Sequence, residues 1–351
     1  MTNSRFLECD YDPATLVKAI PYVAKVIRDE PLLFDDAKDL LVSVFPEWRD
    51  DKIALKQSQD GITNKLVMCT NEDTKKTVLI RAYGKRTEVI IDRSKELLNM
   101  AGLAHLGMCP PIYARFENGL VYGFISGTVA KSEEMGSDLW APLIAQAVAR
   151  WSQINLPGDH SPQLFPCIRR WMADVPEKYE NPKANATFRS YFSMEKLATE
   201  ATELEATLFK LNSPVVFAHN DLLSGNIIIS ESKDKVSFID YEYGMYNYRA
   251  FDIANHFNEY AGFECDYSRY PTKQVQLKWF KVYLDTIDQD SSPEALEAMY
   301  KEVSFFQLAS HFYWGVWALV QAAISDIDFD YMEYAKMRFD QYYKVKAQIL
   351  N

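Results

Sequence analysis

Two stretches rich in β-branched residues, 53–70 and 77–83, stand early in the chain, and a polar turn at 71–76 separates them. Further strands are expected at 110–113 and 120–125, the second running into Ser126-Gly127 as a hinge. Ahead of these strands, 13–28 and 35–45 place Leu16, Val17 and Ile20, then Leu40, Leu41 and Val44, at helical spacing. Asp35 or Asp36 stands where it would cap the second helix. Residues 92–106 carry Leu97, Leu98 and Ala101 at the same period. From residue 139 onward helical spacing prevails, at 139–154, 168–175, 191–211, 273–285, 293–325 and 331–350. A Pro- and Gly-rich irregular stretch, 156–166, and a polar loop, 175–190, interrupt it. The pattern predicts an α+β chain of two lobes with a nucleotide cleft between them: a helical extension at 1–50, a small β-rich nucleotide-binding lobe at 51–125 and a larger helical catalytic lobe at 126–351.

One stretch breaks the helical run. Residues 215–244 read VVFAHNDLLSGNIIISESKDKVSFIDYEYG, which predicts strand, polar loop, strand, turn, strand and then an acid, Asp240. Asp221 and Asn226 are five residues apart across the loop, and Asp240 closes a hairpin that begins at Asn226. Phosphoryl transfer to a hydroxyl needs a carboxylate that orients the acceptor and takes its proton, and oxygen ligands for a magnesium ion on the phosphates. The catalytic loop of protein kinases has the same Asp-x-x-x-x-Asn spacing, followed by a metal-binding Asp after a short hairpin. Asp221 is therefore read as the catalytic base, with Asn226 and Asp240 as metal ligands. The plain alternative is that each Asp satisfies its own turn. An acid at the end of an apolar strand, at this distance, tips the reading toward chemistry.

Composition adds limits. The chain has 351 residues, 48% of them hydrophobic and 14% aromatic, which is a globular composition. Thirty-eight basic against 49 acidic residues give a net charge of −11, which argues against nucleic-acid binding and against a basic membrane patch. The five cysteines, at 9, 69, 109, 167 and 265, form no paired motif, and a cytoplasmic protein with reduced thiols is expected. The most membrane-like stretch, 303–324, contains Gln307, Ser310, His311 and Gln321 and reads as a buried core helix rather than a span.

Two more places carry candidate chemistry, each with two readings open. Residues 58–65, SQDGITNK, offer backbone N–H groups that would fold over phosphates, and Asp60-Gly61 equally suits a plain hairpin turn. Arg81 ends an apolar strand and Glu96 lies early in the next helix. The two would make the strand-cation to helix-acid pair of a phosphate site, or both are solvated surface charges.

IDYEYGMYNYRAFDIANHFNEYAG (239–262) with HNDLLSGNI (219–227) resembles the choline/ethanolamine kinases, a small-molecule branch of the protein-kinase-like fold. DGITNKL (60–66), RAYGKRTEVIIDR (81–93), DYSRYP (266–271), ASHFYWGVWALVQ (309–321) and FDYMEYAKMRFDQYYKVK (329–346) look closer to the ethanolamine kinases of that family. The resemblance runs from about residue 50 to the C-terminus. It implies ATP- and Mg2+-dependent phosphorylation of ethanolamine, the first step toward phosphatidylethanolamine, with choline as the alternative substrate and a homodimer by analogy. It places Gly61, Ile62, Thr63, Asn64 and Lys65 over the phosphates, Arg81 against them with Glu96, and Tyr122, Gly123, Phe124 and Ile125 at adenine. Tyr243, Glu259, Trp314, Trp317 and Tyr334 would form the substrate pocket, with Ile327 and Phe329 nearby. A carboxylate and aromatic faces suit an ammonium group, whereas the two tryptophans, three apart on one helix, also suit plain core packing. Choline kinases carry a further aromatic soon after the acid matching Glu259. Here the stretch is Tyr260-Ala261-Gly262-Phe263-Glu264, a thinner cage that favours a primary ammonium, with Phe263 as the ring that would replace the missing one.

Overall fold

The computed structural model describes residues 7–58, 64–84 and 86–350. They form two compact units, Cys9–Ser126 and the chain from Gly127 onward, to which residues 7 and 8 also belong. A two-residue strand, β1 (Leu7–Glu8), pairs in parallel with residues 154–155 of that second unit.

In the first unit, helix α1 (Pro13–Ala19) leads to β2 (Tyr22–Val23), helix α2 (Leu33–Val44), strands β3 (Ile53–Ser58), β4 (Asn64–Asn71) and β5 (Thr77–Tyr83), helix α3 (Arg93–His105) and strands β6 (Ile112–Phe116) and β7 (Gly119–Gly123). The strands make one six-stranded sheet in the order β2-β6-β7-β5-β4-β3, antiparallel except for the β2–β6 pair. Leu33, Ala37, Leu40 and Leu41 of α2 share a buried core with Val67, Cys69, Val78, Ile80, Ala114 and Val121 of the sheet. The helical spacing over 13–28 gives only seven residues of helix. Pro21 excludes the helical region for the residue before it, and Ile20 accordingly turns extended at ψ 123°. Asp92 caps α3 by accepting from the N–H groups of Ser94 and Lys95.

The second unit carries β8 (Thr128–Val129), α4 (Trp140–Trp151), β9 (Ile154–Asn155), α5 (Leu164–Asp174), α6 (Pro182–Tyr191), α7 (Met194–Phe209), β10 (Val215–Ala218), β11 (Ile227–Ile229), β12 (Val236–Phe238), β13 (Met245–Tyr248), α8 (Arg249–Asn258), α9 (Lys273–Thr286), α10 (Pro293–Ile324) and α11 (Tyr331–Leu350). Helix α6 occupies part of the expected polar loop. Asn181 accepts from the N–H groups of Lys183 and Ala184, and Pro182 fills the first helical position, where its missing N–H does no harm. Strand β13 was not among the expected elements. It forms because it pairs in full with β10, Val215 opposite Tyr248 through Ala218 opposite Met245.

Helix α10 is the 32-residue centre of this unit and is buried almost continuously from Phe306 to Gln321. Among the described residues no helix is long and apolar enough to cross a membrane. A Cβ on Gly315 would lie 2.6 Å from a ring carbon of Phe339, so glycine lets α11 approach this closely. The fold is a β-rich unit followed by a helical one, in which the short strands β10 to β13 carry the site.

Candidate active site

The loop that leaves β10 is held by its own neighbours in sequence space and by α8. The Asp252 carboxylate, in the first turn of α8, accepts the backbone N–H groups of His219 (3.0 Å) and Asn220 (2.7 Å). Asn220 sits at φ +66°, a left-handed conformation that asparagine tolerates, and its side-chain amide donates to the Tyr243 carbonyl at 2.9 Å. Asn247 donates to Asn220 Oδ1 (2.8 Å), and Asn255 donates to the Asn220 carbonyl (3.2 Å). His219 donates through Nε2 to the Ile239 carbonyl (3.0 Å), and His256 donates through Nδ1 to the Leu222 carbonyl (3.1 Å). Burial pushes both imidazoles down to about 4, so both are neutral near pH 7. The loop is thus fixed before any ligand arrives.

On this frame Asp221 and Asn226 meet. Asn226 Nδ2 donates to the Asp221 carboxylate at 2.9 Å and to its carbonyl at 2.8 Å. Strands β11 and β12 pair as a hairpin, Ile227 opposite Phe238, and the Ile239 N–H closes it on the Asn226 carbonyl (3.0 Å). Asp240 follows at once, at φ +62°, off the regular strand path. Burial raises the Asp221 pKa well above the ordinary carboxylate range. The charges of Asp240, Glu259 and Glu242 raise it further, and only the Asn226 amide opposes them. Asp221, Asn226, Asp240 and Glu242 thus bring oxygen groups and negative charge into one neighbourhood. Those are the ligands and the field that suit a hard divalent cation such as magnesium.

Beside the acids lies an aromatic group. Trp317 donates its indole N–H to the Tyr243 hydroxyl (2.9 Å), and Trp314 donates to Asn255 Oδ1 (2.7 Å). The rings of Tyr243 and Trp314 are 5.2 Å apart, edge to face, and those of Trp314 and Trp317 are 5.4 Å apart. Phe263 stands against Phe329 (5.9 Å) and Tyr334 (6.1 Å), and Phe329 against Tyr331 (4.9 Å). Ile327 is exposed. The two tryptophans are buried, and each indole N–H is bonded to a polar residue of this neighbourhood.

Glu259 has a partner that sequence reasoning missed. Arg338, on α11 and 1% exposed, donates to Glu259 Oε1 at 3.0 Å, to the Tyr334 hydroxyl at 3.1 Å, and to the carbonyl and hydroxyl of Ser310. Asp252, Asn255, His256 and Glu242 were also missed as contributors. Their signal was present only in the density of Asn, His and Asp within 239–262, on a helix that is otherwise apolar.

In the first unit, Arg81 on β5 and Glu96 on α3 are bonded to each other and both buried, and Arg93 also reaches Glu96 at 2.9 Å. A buried pair replaces the reading of two solvated charges. Asn64 Oδ1 accepts from Arg93 at 2.9 Å, and Lys65 pairs with Asp29 at the surface. Tyr122 and Gly123 end β7, and Phe124 and Ile125 follow it, with Phe124 exposed. Gly61, Ile62 and Thr63 lie outside the described residues.

These features have known counterparts. Residues 55–343 match the family model described as choline/ethanolamine kinase. The chain is 42% identical to a probable ethanolamine kinase A of Dictyostelium discoideum over 87% of this chain and 90% of that one. It is 39% identical to ethanolamine kinase 2 of Mus musculus over 97% and 88%. Among solved structures, an ethanolamine kinase of Plasmodium vivax superposes with a TM-score of 0.81 at 30% identity, covering 94% of this chain and 92% of that one. The loop that carries Asp221 and Asn226, with Asp240 after it and the 239–262 block bracing it, therefore comes with matching sequence and matching fold along most of the chain, which belongs to the choline/ethanolamine kinase family.

Proposed function

We propose that this chain transfers the terminal phosphoryl group of ATP to the hydroxyl of ethanolamine, giving phosphoethanolamine, a headgroup precursor of phosphatidylethanolamine. One observation supports it above the rest: a buried carboxylate, Asp221, held by Asn226 inside a cluster of acids and next to an aromatic wall. The relatives described above, named as ethanolamine kinases, support the choice of amine.

Asp221 orients the acceptor hydroxyl and takes its proton. Its raised proton affinity suits a base once a cation lowers the surrounding negative charge. Asn226 and Asp240 hold magnesium. Magnesium held there would supply charge neutralisation to the phosphates. Arg81, kept in place by Glu96, presents a cation to the phosphates, with Gly61, Ile62, Thr63, Asn64 and Lys65 assigned to the phosphates and Tyr122, Gly123, Phe124 and Ile125 to adenine. The ammonium end of the substrate rests among Tyr243, Trp314, Trp317 and Tyr334, with Glu259 as its carboxylate. A primary ammonium donates hydrogen bonds that a trimethylated one cannot, so an acid-rich wall favours ethanolamine over choline. The enzyme is read as cytoplasmic, and as a homodimer by family analogy, which light scattering on the purified chain would test.

A coupled ADP-release assay across ethanolamine, its N-methylated derivatives and choline tests the proposal. The expected result is a kcat/KM that falls with each methyl group. A value for choline equal to or above that for ethanolamine would move the substrate assignment to choline. No ADP release with any of them would overturn the kinase reading.

A further inference from the structure

The acid proposed to meet the substrate ammonium is not free. Arg338 is the most buried cation of the helical unit's site, and its guanidinium is shared along two lines. One line runs to Glu259 Oε1 (3.0 Å) and the Tyr334 hydroxyl (3.1 Å), two of the residues assigned to the pocket. The other runs to the Ser310 carbonyl (3.2 Å) and hydroxyl (3.1 Å). From Ser310 it continues: the hydroxyl donates to Asn255 Oδ1 (2.9 Å), which also receives the Trp314 indole N–H (2.7 Å), and Asn255 Nδ2 donates to the carbonyl of Asn220 (3.2 Å). Asn220 immediately precedes Asp221. A single planar cation thus ties the substrate acid to the backbone that carries the catalytic base.

We infer that Arg338 is a positioning residue for phosphoryl transfer, which holds Glu259 and Tyr334 in register with the Asp221 loop through Ser310 and Asn255. The planar guanidinium suits this task, because it donates in several directions from a rigid fork, whereas a lysine ammonium on a flexible stem cannot serve both lines at once. A charge this deeply buried, with a packed apolar helix on either side, would otherwise be replaceable by a hydrophobic residue. The division of its bonds also separates two effects. The Glu259 line acts on amine binding, and the Ser310–Asn255 line acts on the geometry of the chemical step.

The inference rests on the amine kinase reading of the site, and a double-mutant cycle on the full-length enzyme tests it. Wild type, Arg338→Met, Glu259→Gln and the double variant are assayed with ethanolamine and with choline, and the cycle is read on whichever amine the wild type phosphorylates faster. Arg338→Met is expected to lower kcat/KM for the amine about 10²-fold, the scale of an ångström-sized misplacement, while the KM for ATP moves less than about 2-fold. In the Glu259→Gln background the same change is expected to lower it by about 10-fold, the share carried by the Ser310 line. Ser310→Ala is expected to lower kcat about 10-fold and leave the amine KM in place. Should Arg338→Met fail to fold, Arg338→Lys and its double variant with Glu259→Gln carry the same cycle, with a loss of about 10-fold expected for Arg338→Lys alone. Equal losses in both backgrounds, or a folded Arg338 variant with wild-type kcat/KM, would overturn the inference and leave the kinase reading intact. A wild type that phosphorylates neither amine would remove the kinase reading first and this inference with it.

Discussion

Mild acid should weaken this protein through the histidines that brace its loop. His219 and His256 are fully buried and neutral, and burial holds both at about 4 against an ordinary 6.5. Below pH 6.5 the unfolded chain binds protons at these positions, while the folded protein does not until about pH 4. Stability therefore falls with pH across that window, by about 3.5 kcal/mol for each histidine at ~1.4 kcal/mol per pH unit of displacement. Asp252 runs the other way. Burial raises it to about 6, so the folded protein keeps its proton where the unfolded chain, near 3.8, has lost it. Its contribution is full below 3.8 and gone above 6, so between those values it offsets one of the two histidines. The net expectation is a loss of ~1.4 kcal/mol per pH unit between about pH 6 and pH 4.5, a large share of the 5–15 kcal/mol that holds a typical domain. His311 adds in the same direction, and Asp221, raised well above its ordinary range by burial, offsets it as Asp252 offsets one of the others, so the net slope stands. His311 is buried beside the Arg338 charge, neither of its ring nitrogens has a partner, and it is pushed well below its ordinary value.

Urea unfolding followed by tryptophan fluorescence at pH 7, 6, 5 and 4.5 would measure this. His256→Asn keeps a donor for the Leu222 carbonyl but removes the titrating group, so its stability should decline less steeply than that of the wild type. A wild-type stability that is flat within ~0.5 kcal/mol from pH 6.5 to 4.5, or a His256→Asn slope equal to wild type, would refute the reasoning.

Three substitutions check the rest of the site and the core. Asp221→Asn should lower kcat by about 10²–10⁴-fold, with no fall in melting temperature, because it removes a buried charge that three neighbouring acids oppose; steady-state kinetics and a thermal scan read both. Asp240→Asn should raise the magnesium concentration needed for half-maximal rate more than it changes the amine KM, since an amide is a poorer ligand for a hard cation, and a magnesium titration shows which parameter moves. Gly315→Val should destabilise by about 1–3 kcal/mol, because its Cβ would lie 2.6 Å from the Phe339 ring, and calorimetry would show a lowered midpoint.

The parts of the molecule that the sequence reveals are those whose cause is local. Strands β4 and β5 alternate, helix α3 carries its own cap at Asp92, and the loop from Asp221 to Asn226 has a spacing that its chemistry requires. The direct bond between Asp221 and Asn226, and the closing of the hairpin just before Asp240, follow from that spacing. Elements whose cause is remote were misread. Strand β13, to which the sequence pattern assigned no element, is a strand because β10 pairs with it. Helix α6 looked like a loop because its polar composition outweighed the Asn181-Pro182 start signal.

Arg338 shows the same limit in its strongest form. In YAKMRFDQYYKVK it stands among Lys336, Lys344 and Lys346, and a cation on a helix is normally solvated. Its partner Glu259 is 79 positions away, and neither residue signals the other in a single sequence. The burial that makes the pair matter is decided by Gly315, which brings α10 and α11 close, and by the aromatic residues around it, not by anything at position 338. A charge with no local reason to be buried, and several bonds once it is, has been kept for what it holds in place. Here it holds the proposed substrate acid and, through Ser310 and Asn255, the loop of the proposed base. Amine binding and the alignment of the phosphoryl acceptor would then meet at this one cation, so substitutions of Arg338 itself should change kcat as well as KM.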